Sequence, residues 1–270
     1  MEIAGGFKIQ VEEESMIGVY FSGTGKSRYA AELFCKECGS EGNVFSIEDE
    51  CVCGKIREAD EIVFSYPVQY STVPKFVRDF IDENSGIWSG KKVFVIATMG
   101  LFSGDGSGIL GRYLKRYGAV ITGGLHLKMP DSIADEKALK RPFEKNLANI
   151  RESEEKIRRS AKAYREGKPT KEGLGFFYRM AGLFGQRLYF GHMTKKYSSK
   201  LKINADRCIG CGLCEKLCPL ENIHIKGKLA VPEGKCTMCY RCINRCPKQA
   251  ITLLGKEIVE QTTIEKYLKK

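Results

Sequence analysis

Eight of the twelve cysteines in this 270-residue chain fall within residues 208–246, in two copies of one pattern. The first is Cys208-x2-Cys211-x2-Cys214-x3-Cys218-Pro219 and the second Cys236-x2-Cys239-x2-Cys242-x3-Cys246-Pro247. This spacing suits cubane [4Fe–4S] clusters, in which three close thiolates of one run are completed by the fourth cysteine of the other. Cys208, Cys211, Cys214 and Cys246 are therefore expected to hold one cluster, and Cys236, Cys239, Cys242 and Cys218 a second. The prolines end each run by forbidding helix continuation. Zinc knuckles are a poor explanation for two such runs in tandem. The chemistry to expect is one-electron transfer.

A second constellation lies near the other end. An apolar run, Met16–Phe21, leads into Ser22-Gly23-Thr24-Gly25-Lys26-Ser27 and then a helix-like stretch, Arg28–Cys38. Two glycines permit a tight turn, and backbone N–H groups with three hydroxyls converge at a helix N-terminus, which suits a phosphate. The loop is not a Walker A sequence, because its first glycine position is held by Tyr20. Farther on, a glycine-rich stretch counted from Gly104 puts Ile109 at the last position of G-x-G-x-x-G, and no dinucleotide site is expected there.

The elements that must position these residues read as alternating strands and helices. Strand candidates Asn43–Ile47, Glu61–Tyr66, Lys92–Thr98 and Ala119–His126 follow the first run. Helical stretches Lys75–Asp82, Gly108–Tyr117 and Asp135–Tyr164 separate them. The pattern argues for an α/β fold with an open, doubly wound, parallel five-stranded sheet covered on both faces. Pro74 suits a first helical turn capped by Thr72 or Ser71. Ligands of such sheets bind beyond the carboxyl ends of the strands, which selects Ser22–Ser27, Tyr66–Ser71 and Thr98–Gly106. Around the cysteine runs, Leu201–Ile203, Ile223–Ile225, Leu229–Val231 and Ala250–Leu253 suggest a small pseudo-symmetric α+β domain.

Together the loop and the cysteine runs resemble the flavodoxin–ferredoxin fusion proteins of anaerobic microbes. The resemblance implies a flavodoxin-like FMN-binding domain at 16–165 and a two-[4Fe–4S] ferredoxin domain at 201–255. A leader (1–15), a basic aromatic linker (166–200) and a tail (256–270) remain outside them. It further implies FMN as a cofactor beside the two clusters. Ser22, Thr24, Gly25, Lys26 and Ser27, with Gly23 in the same loop, would hold its phosphate. Tyr66, Pro67, Val68, Gln69 and Tyr70 would lie beside the isoalloxazine ring, and Thr98, Met99, Gly100 and Leu101 would face its pyrimidine edge. Tyr66 and Tyr70 have a second reading as ordinary packing at a strand end.

Charge adds a constraint on partners. Residues 1–150 carry 18 Lys/Arg against 21 Asp/Glu, residues 151–207 carry 15 against 6, and residues 208–270 carry 11 against 6. Each oxidised cubane with four thiolates adds roughly −2, so the basic excess sits in the middle. There Phe176–Phe190 is aromatic, and Lys195 and Lys196 follow. A connecting helix between domains, or contact with a membrane surface through 176–196, would account for it. Nucleic acid is not expected, since no recognised module accompanies the charge. No stretch reaches the ~18 apolar residues of a membrane span, and residues 1–15 lack a secretory signal. A cytoplasmic location and reduced thiols follow as the default.

The remaining cysteines, Cys35, Cys38, Cys51 and Cys53, read as buried or incidental thiols. His126 and His192 have no nucleophile or carboxylate at an interpretable spacing, and His224 reads as a surface residue. The expectation is an electron-transfer protein that links one- and two-electron redox partners through FMN and two clusters. Alternatives are a flavin-dependent reductase of a small acceptor and a docking module without flavin.

Overall fold

The computed structural model describes residues 15–101, 104–182 and 197–268. Strands β1 (Met16–Tyr20), β2 (Val44–Ser46), β3 (Glu61–Pro67), β4 (Lys92–Met99) and β5 (Val120–Lys128) form one sheet in the order β2-β1-β3-β4-β5. All four pairings are parallel, and the β4–β5 register shifts once, at Val93/Phe94. Helices α1 (Lys26–Glu37), α2 (Val52–Glu58), α3 (Lys75–Glu83), α4 (Gly106–Lys115) and α5 (Phe143–Arg165) cover it. The strands read as continuous apolar runs because both faces are buried. Ile17, Val19, Ile62, Phe64, Val93 and Val95 pack with residues of α2, α3 and α4, while Met16, Val63, Phe94 and Ile96 pack with α1 and α5. Between β1 and β3 the strand order reverses, so the loops after them part and leave a crevice.

The sequence missed or misplaced several elements. Helix α2 was not expected; seven residues with two buried positions, Val52 and Ile56, give too short a periodic signal. The stretch expected to be helical from Asp135 starts instead at Phe143, behind Pro142, whose extended backbone (ψ 146°) ends the preceding loop. Neither Thr72 nor Ser71 caps α3. Pro74 itself takes the N-cap position, with no side-chain cap.

Toward the C-terminus, β6 (Lys202–Ile203) pairs antiparallel with β9 (Ile251–Thr252), and β7 (Ile223–Lys226) forms a hairpin with β8 (Leu229–Pro232). Short helices α7 (Leu213–Leu217) and α8 (Arg241–Arg245) carry the middle of each cysteine run. Helix α6 (Phe176–Gly182) precedes them, with Phe176 and Phe177 exposed, and α9 (Glu265–Leu268) follows. Most of the aromatic stretch, 183–196, and the leader up to residue 14 lie outside the described residues.

The halves interleave. The first part of the linker docks on the exposed edge of β5: the Gly124 N–H donates to Thr170 O (2.8 Å) and the Glu172 N–H to Gly124 O (2.9 Å). Gly123 and Gly124 allow this approach, since an added Cβ would lie 2.6 Å from Thr170 O or 2.5 Å from Glu172 O. Such cover blunts a sheet edge that would otherwise invite pairing. The tail returns to the sheet: Ile264 and Tyr267 are buried in the α1/α5 core, with Tyr267 stacked on Phe143. In exchange, Ala134 joins the core around the cysteine runs. No helix among the described residues is long and apolar enough to cross a membrane.

Candidate functional site

A cavity of about 390 Å³ opens at the carboxyl ends of the strands. All three segments selected from the sequence line it: Ser22–Thr24 with Lys26 and Ser27, then Pro67–Ser71, then Thr98–Leu101. Residues 22–27 are buried, yet the backbone N–H groups of Gly23, Thr24, Gly25, Lys26 and Ser27 find no acceptor among the described residues. Orphaned buried donors are rare in folded proteins. Here they sit at the N-terminus of α1, where the helix dipole favours an anion. The side chains are already positioned: Ser27 Oγ is 2.7 Å from Thr98 Oγ1, and Thr24 Oγ1 is 2.8 Å from Ser132 Oγ. Lys26, 3% exposed, donates to Thr24 Oγ1 and Ser132 Oγ at 3.2 Å and to Thr262 O at 2.5 Å. Burial lowers its pKa to about 7, so a bound anion would restore the charge that burial opposes.

The second loop divides. Tyr66 is fully buried in the sheet core and donates to Gly106 O (2.6 Å), so packing, rather than the cavity, explains it. Tyr70 lines the cavity, stacked on Tyr197 at 6.3 Å. Tyr70 and Ser71 both hold left-handed backbone (φ 46° and 55°), which non-glycine residues adopt at a cost and chiefly at functional sites. In the third loop Gly100 leaves room for the Asp131 side chain, whose Oδ2 would lie 2.3 Å from an added Cβ.

Counted from Gly106 rather than Gly104, the G-x-G-x-x-G spacing is in fact met, by Gly106, Gly108 and Gly111 at the start of α4. The space a dinucleotide phosphate would need is filled by protein. A Cβ on Gly108 would lie 2.2 Å from Gly173 O, and one on Gly111 3.4 Å from Ile121. These glycines serve the docking of the linker and of β5.

The cysteines gather in two further cavities. One is lined by Cys208, Cys211, Cys214 and Cys246, the other by Cys218, Cys236, Cys239 and Cys242. Each set mixes the two runs in the crossed manner expected. Among the described residues, no three His, Cys, Asp or Glu side chains converge as a single metal ion requires; the thiols surround a space instead. Backbone N–H groups of Asn222, Met238 and Ala250 donate to Cys218, Cys236 and Cys246 sulfurs, each at 3.3 Å. Burial pushes the Cys236 thiol up to about 12 and, with neighbouring thiols, raises Cys242 as well. Burial thus opposes ionisation of these two thiols, and a cationic centre between them would offset that.

Residues 17–115 match the family model of a flavodoxin domain, and residues 201–224 that of a 4Fe-4S binding domain. The chain joins a flavodoxin domain to a 4Fe-4S binding domain. Among solved structures, an archaeal flavodoxin is similar at 18% identity, covering 56% of this chain and 98% of its own, with a TM-score of 0.40. The two-electron reduced flavodoxin of Megasphaera elsdenii aligns at 24% identity over 43% of this chain and 89% of its own, with a TM-score of 0.39. Rubredoxin oxygen:oxidoreductase from Desulfovibrio gigas aligns at 14% identity over 56% of this chain and 37% of its own, with a TM-score of 0.38. No curated protein matches the chain.

A flavodoxin domain implies FMN and a 4Fe-4S domain implies clusters, which together make this a redox, electron-transfer protein. The residues present suit both groups: orphaned N–H donors beside a buried cation for a phosphate, and crossed sets of four thiols for cubanes. What sequence reading missed is the far wall of the flavodoxin cavity. Met238, Cys239 and Tyr240 of the 4Fe-4S domain line it, with Tyr197 and Asp131–Ile133. The domains are clamped there by Arg241, which holds Glu48 through its two terminal guanidinium nitrogens (2.6 and 2.5 Å) and donates to Ser22 O at 3.1 Å. The Gln69 amide donates to Met238 O (3.1 Å).

One signal for this wall was legible. The cysteine runs repeat at an offset of 28 residues, which pairs Gly210 with Met238 and Gly212 with Tyr240. All four hold left-handed backbone, φ 64° and 72° in the first run, 58° and 59° in the second. Glycine adopts that conformation freely, whereas other residues are strained by roughly 1 kcal/mol each. The second run bears the strain at two of its three residues that line the flavodoxin cavity.

Proposed function

We propose that this protein passes electrons internally between FMN, held by Ser22–Ser27 and the loops at 67–71 and 98–101, and two [4Fe–4S] clusters. The order would be flavin, then the Cys218/Cys236/Cys239/Cys242 cluster, then the Cys208/Cys211/Cys214/Cys246 cluster, and finally an external redox protein. One observation carries this reading: Cys239 lines both the flavodoxin cavity and the nearer four-thiol cavity. Cys239, with Tyr240 beside it, would thus stand between the two groups. FMN, when bound, exchanges one or two electrons, whereas a cubane passes one, so the pairing links one- and two-electron chemistry.

The chain's own residues hold and insulate this path. Buried N–H donors and Lys26 fix the phosphate end, and Met238 and Tyr240 roof the cavity. Tyr240 is held by its hydroxyl, which donates to Asp135 Oδ1 at 3.1 Å. The other carboxylate oxygen of Asp135 accepts three backbone N–H groups, from Leu253, Leu254 and Gly255 (2.6–3.1 Å), tying the roof to the strand end. At the far cluster Cys211 is exposed, as is Ile209 beside it, which suits a meeting point for an outside carrier. An anaerobic cofactor inventory tests the reading. About eight irons and one FMN per chain are expected from two cubanes and one flavin; two zincs and no flavin would sink it.

A further inference from the structure

The tail beyond the second cysteine run reaches the phosphate loop. The Ile264 N–H donates to Thr24 O (2.9 Å), and an added Cβ on Gly25 would lie 2.5 Å from Ile264 Cγ2. Thr262 supplies the carbonyl that receives the Lys26 ammonium. That carbonyl is itself fixed from two sides: the Thr262 N–H donates to Asn244 Oδ1 (2.7 Å) and its hydroxyl to Asp131 O (2.6 Å). Asn244 Nδ2 donates in turn to Ser132 O (2.8 Å) and Tyr240 O (2.9 Å). Ser132 Oγ closes the circuit on Lys26 and Thr24. Asn244 and Thr262 are 4% and 1% exposed.

Lys26 is the first residue of α1, at the positive end of the helix dipole, and Asp131, Glu265 and Glu260 offset its burial only in part. A buried cation there is unfavourable on both counts. The network keeps the ammonium in place regardless, beside the unfilled N–H donors of Gly23–Ser27. An anion entering the loop would satisfy cation and donors together. The network begins at Asn244, between Cys242 and Cys246, one a ligand expected for each cluster.

We propose that Asn244 and Thr262 are positioning residues for Lys26, so that the C-terminal tail and the cluster-bearing helix α8 form part of the site that takes the flavin's phosphate. The proposal rests on the FMN reading above. Phosphate recognition and domain docking then share one set of hydrogen bonds, and each strengthens the other.

The test compares FMN with riboflavin, which lacks only the phosphate, in anaerobic titrations of the deflavinated full chain with its clusters retained. Asn244→Ala should weaken FMN roughly 10- to 100-fold, the range of a lost charge-assisted contact, and leave riboflavin within about threefold. Should Asn244→Ala fail to retain its clusters, the pair Thr262→Val and Thr262→Ser decides. Valine should lose FMN selectivity over riboflavin, and serine, which keeps the hydroxyl on Asp131 O, should restore it. Equal weakening of both flavins would mark a merely structural role and overturn the proposal, as would unchanged FMN binding in these variants. A wild-type chain that binds neither flavin would instead overturn the FMN reading, and this inference with it.

Discussion

Substituting Gly23 by alanine tests how closely the two domains must approach. Gly23 does not hold left-handed backbone, so alanine is conformationally acceptable there. Its added Cβ, however, would lie 1.8 Å from the Cys239 carbonyl oxygen, 2.9 Å from its carbon and 3.3 Å from its Cβ. Real Cβ contacts essentially never fall below 3.0 Å, so the gap must open by about 1.2 Å. The obstacle is backbone of a cluster-ligand loop, which cannot rotate aside as a side chain can. Overpacking of this kind costs about 1–3 kcal/mol. The strain is relieved by loosening the contact between phosphate loop and cluster loop, so it should be read as easier opening there. Amide hydrogen exchange across residues 236–242 and 262–267 should accelerate roughly 5- to 150-fold, the same energy expressed as an equilibrium ratio. Electron transfer between flavin and clusters should slow in parallel. Gly54→Ala is the control, since nothing lies within 4 Å of its added Cβ. Wild-type exchange and wild-type transfer in Gly23→Ala would show that the phosphate loop and the cluster loop need no such close approach.

Three further outcomes are expected. In anaerobic iron analysis and EPR, Cys246→Ala should remove the cluster of Cys208, Cys211 and Cys214 while sparing the other, and Cys218→Ala should do the reverse; loss within a single run would refute crossed ligation. His126 is buried, its Nε2 accepts the Ser107 N–H at 3.1 Å, and burial lowers its pKa to about 4. Between pH 6.5 and 4 the unfolded chain therefore binds a proton that the folded one refuses, so stability falls as pH falls through that window, by about 3 kcal/mol in all. Denaturant unfolding followed by the single tryptophan, Trp88, should show this slope, and His126→Gln should flatten it; an unchanged slope counts against the assignment. Asp135→Ala leaves the N–H groups of Leu253, Leu254 and Gly255 without their shared acceptor, so the turn at 253–255 should open, with about 2–4 kcal/mol lost in the same unfolding assay; a loss below about 1 kcal/mol would show that this carboxylate does not hold the turn.

The sheet, its parallel order and the three cavity loops were legible because apolar runs, glycine turns and strand ends carry their own signals. The cysteines line two cavities that each draw on both runs, the grouping that the ligation rule for tandem runs suggests. The cavity's far wall was less so: Met238, Cys239 and Tyr240 stand 137 to 218 positions from the loops they face, and only the strained Met238 and Tyr240, set against Gly210 and Gly212, hinted at it. Tyr66 shows the opposite failure. An aromatic at a strand end fits both a ring contact and core packing, and only its bond to Gly106 O separates them. Thr262 and Ile264 carried no local signal, since a polar tail residue acquires its role from what it meets.

Flavin and clusters are expected to exchange electrons within one chain across Cys239. The most direct test is anaerobic flash reduction of the loaded protein, following flavin and cluster absorbance over a wide range of protein concentration. A first-order redistribution is expected, with a rate that does not change with concentration. A rate that rises in proportion to protein concentration, or clusters that stay reduced beside an oxidised flavin of higher potential, would contradict internal exchange.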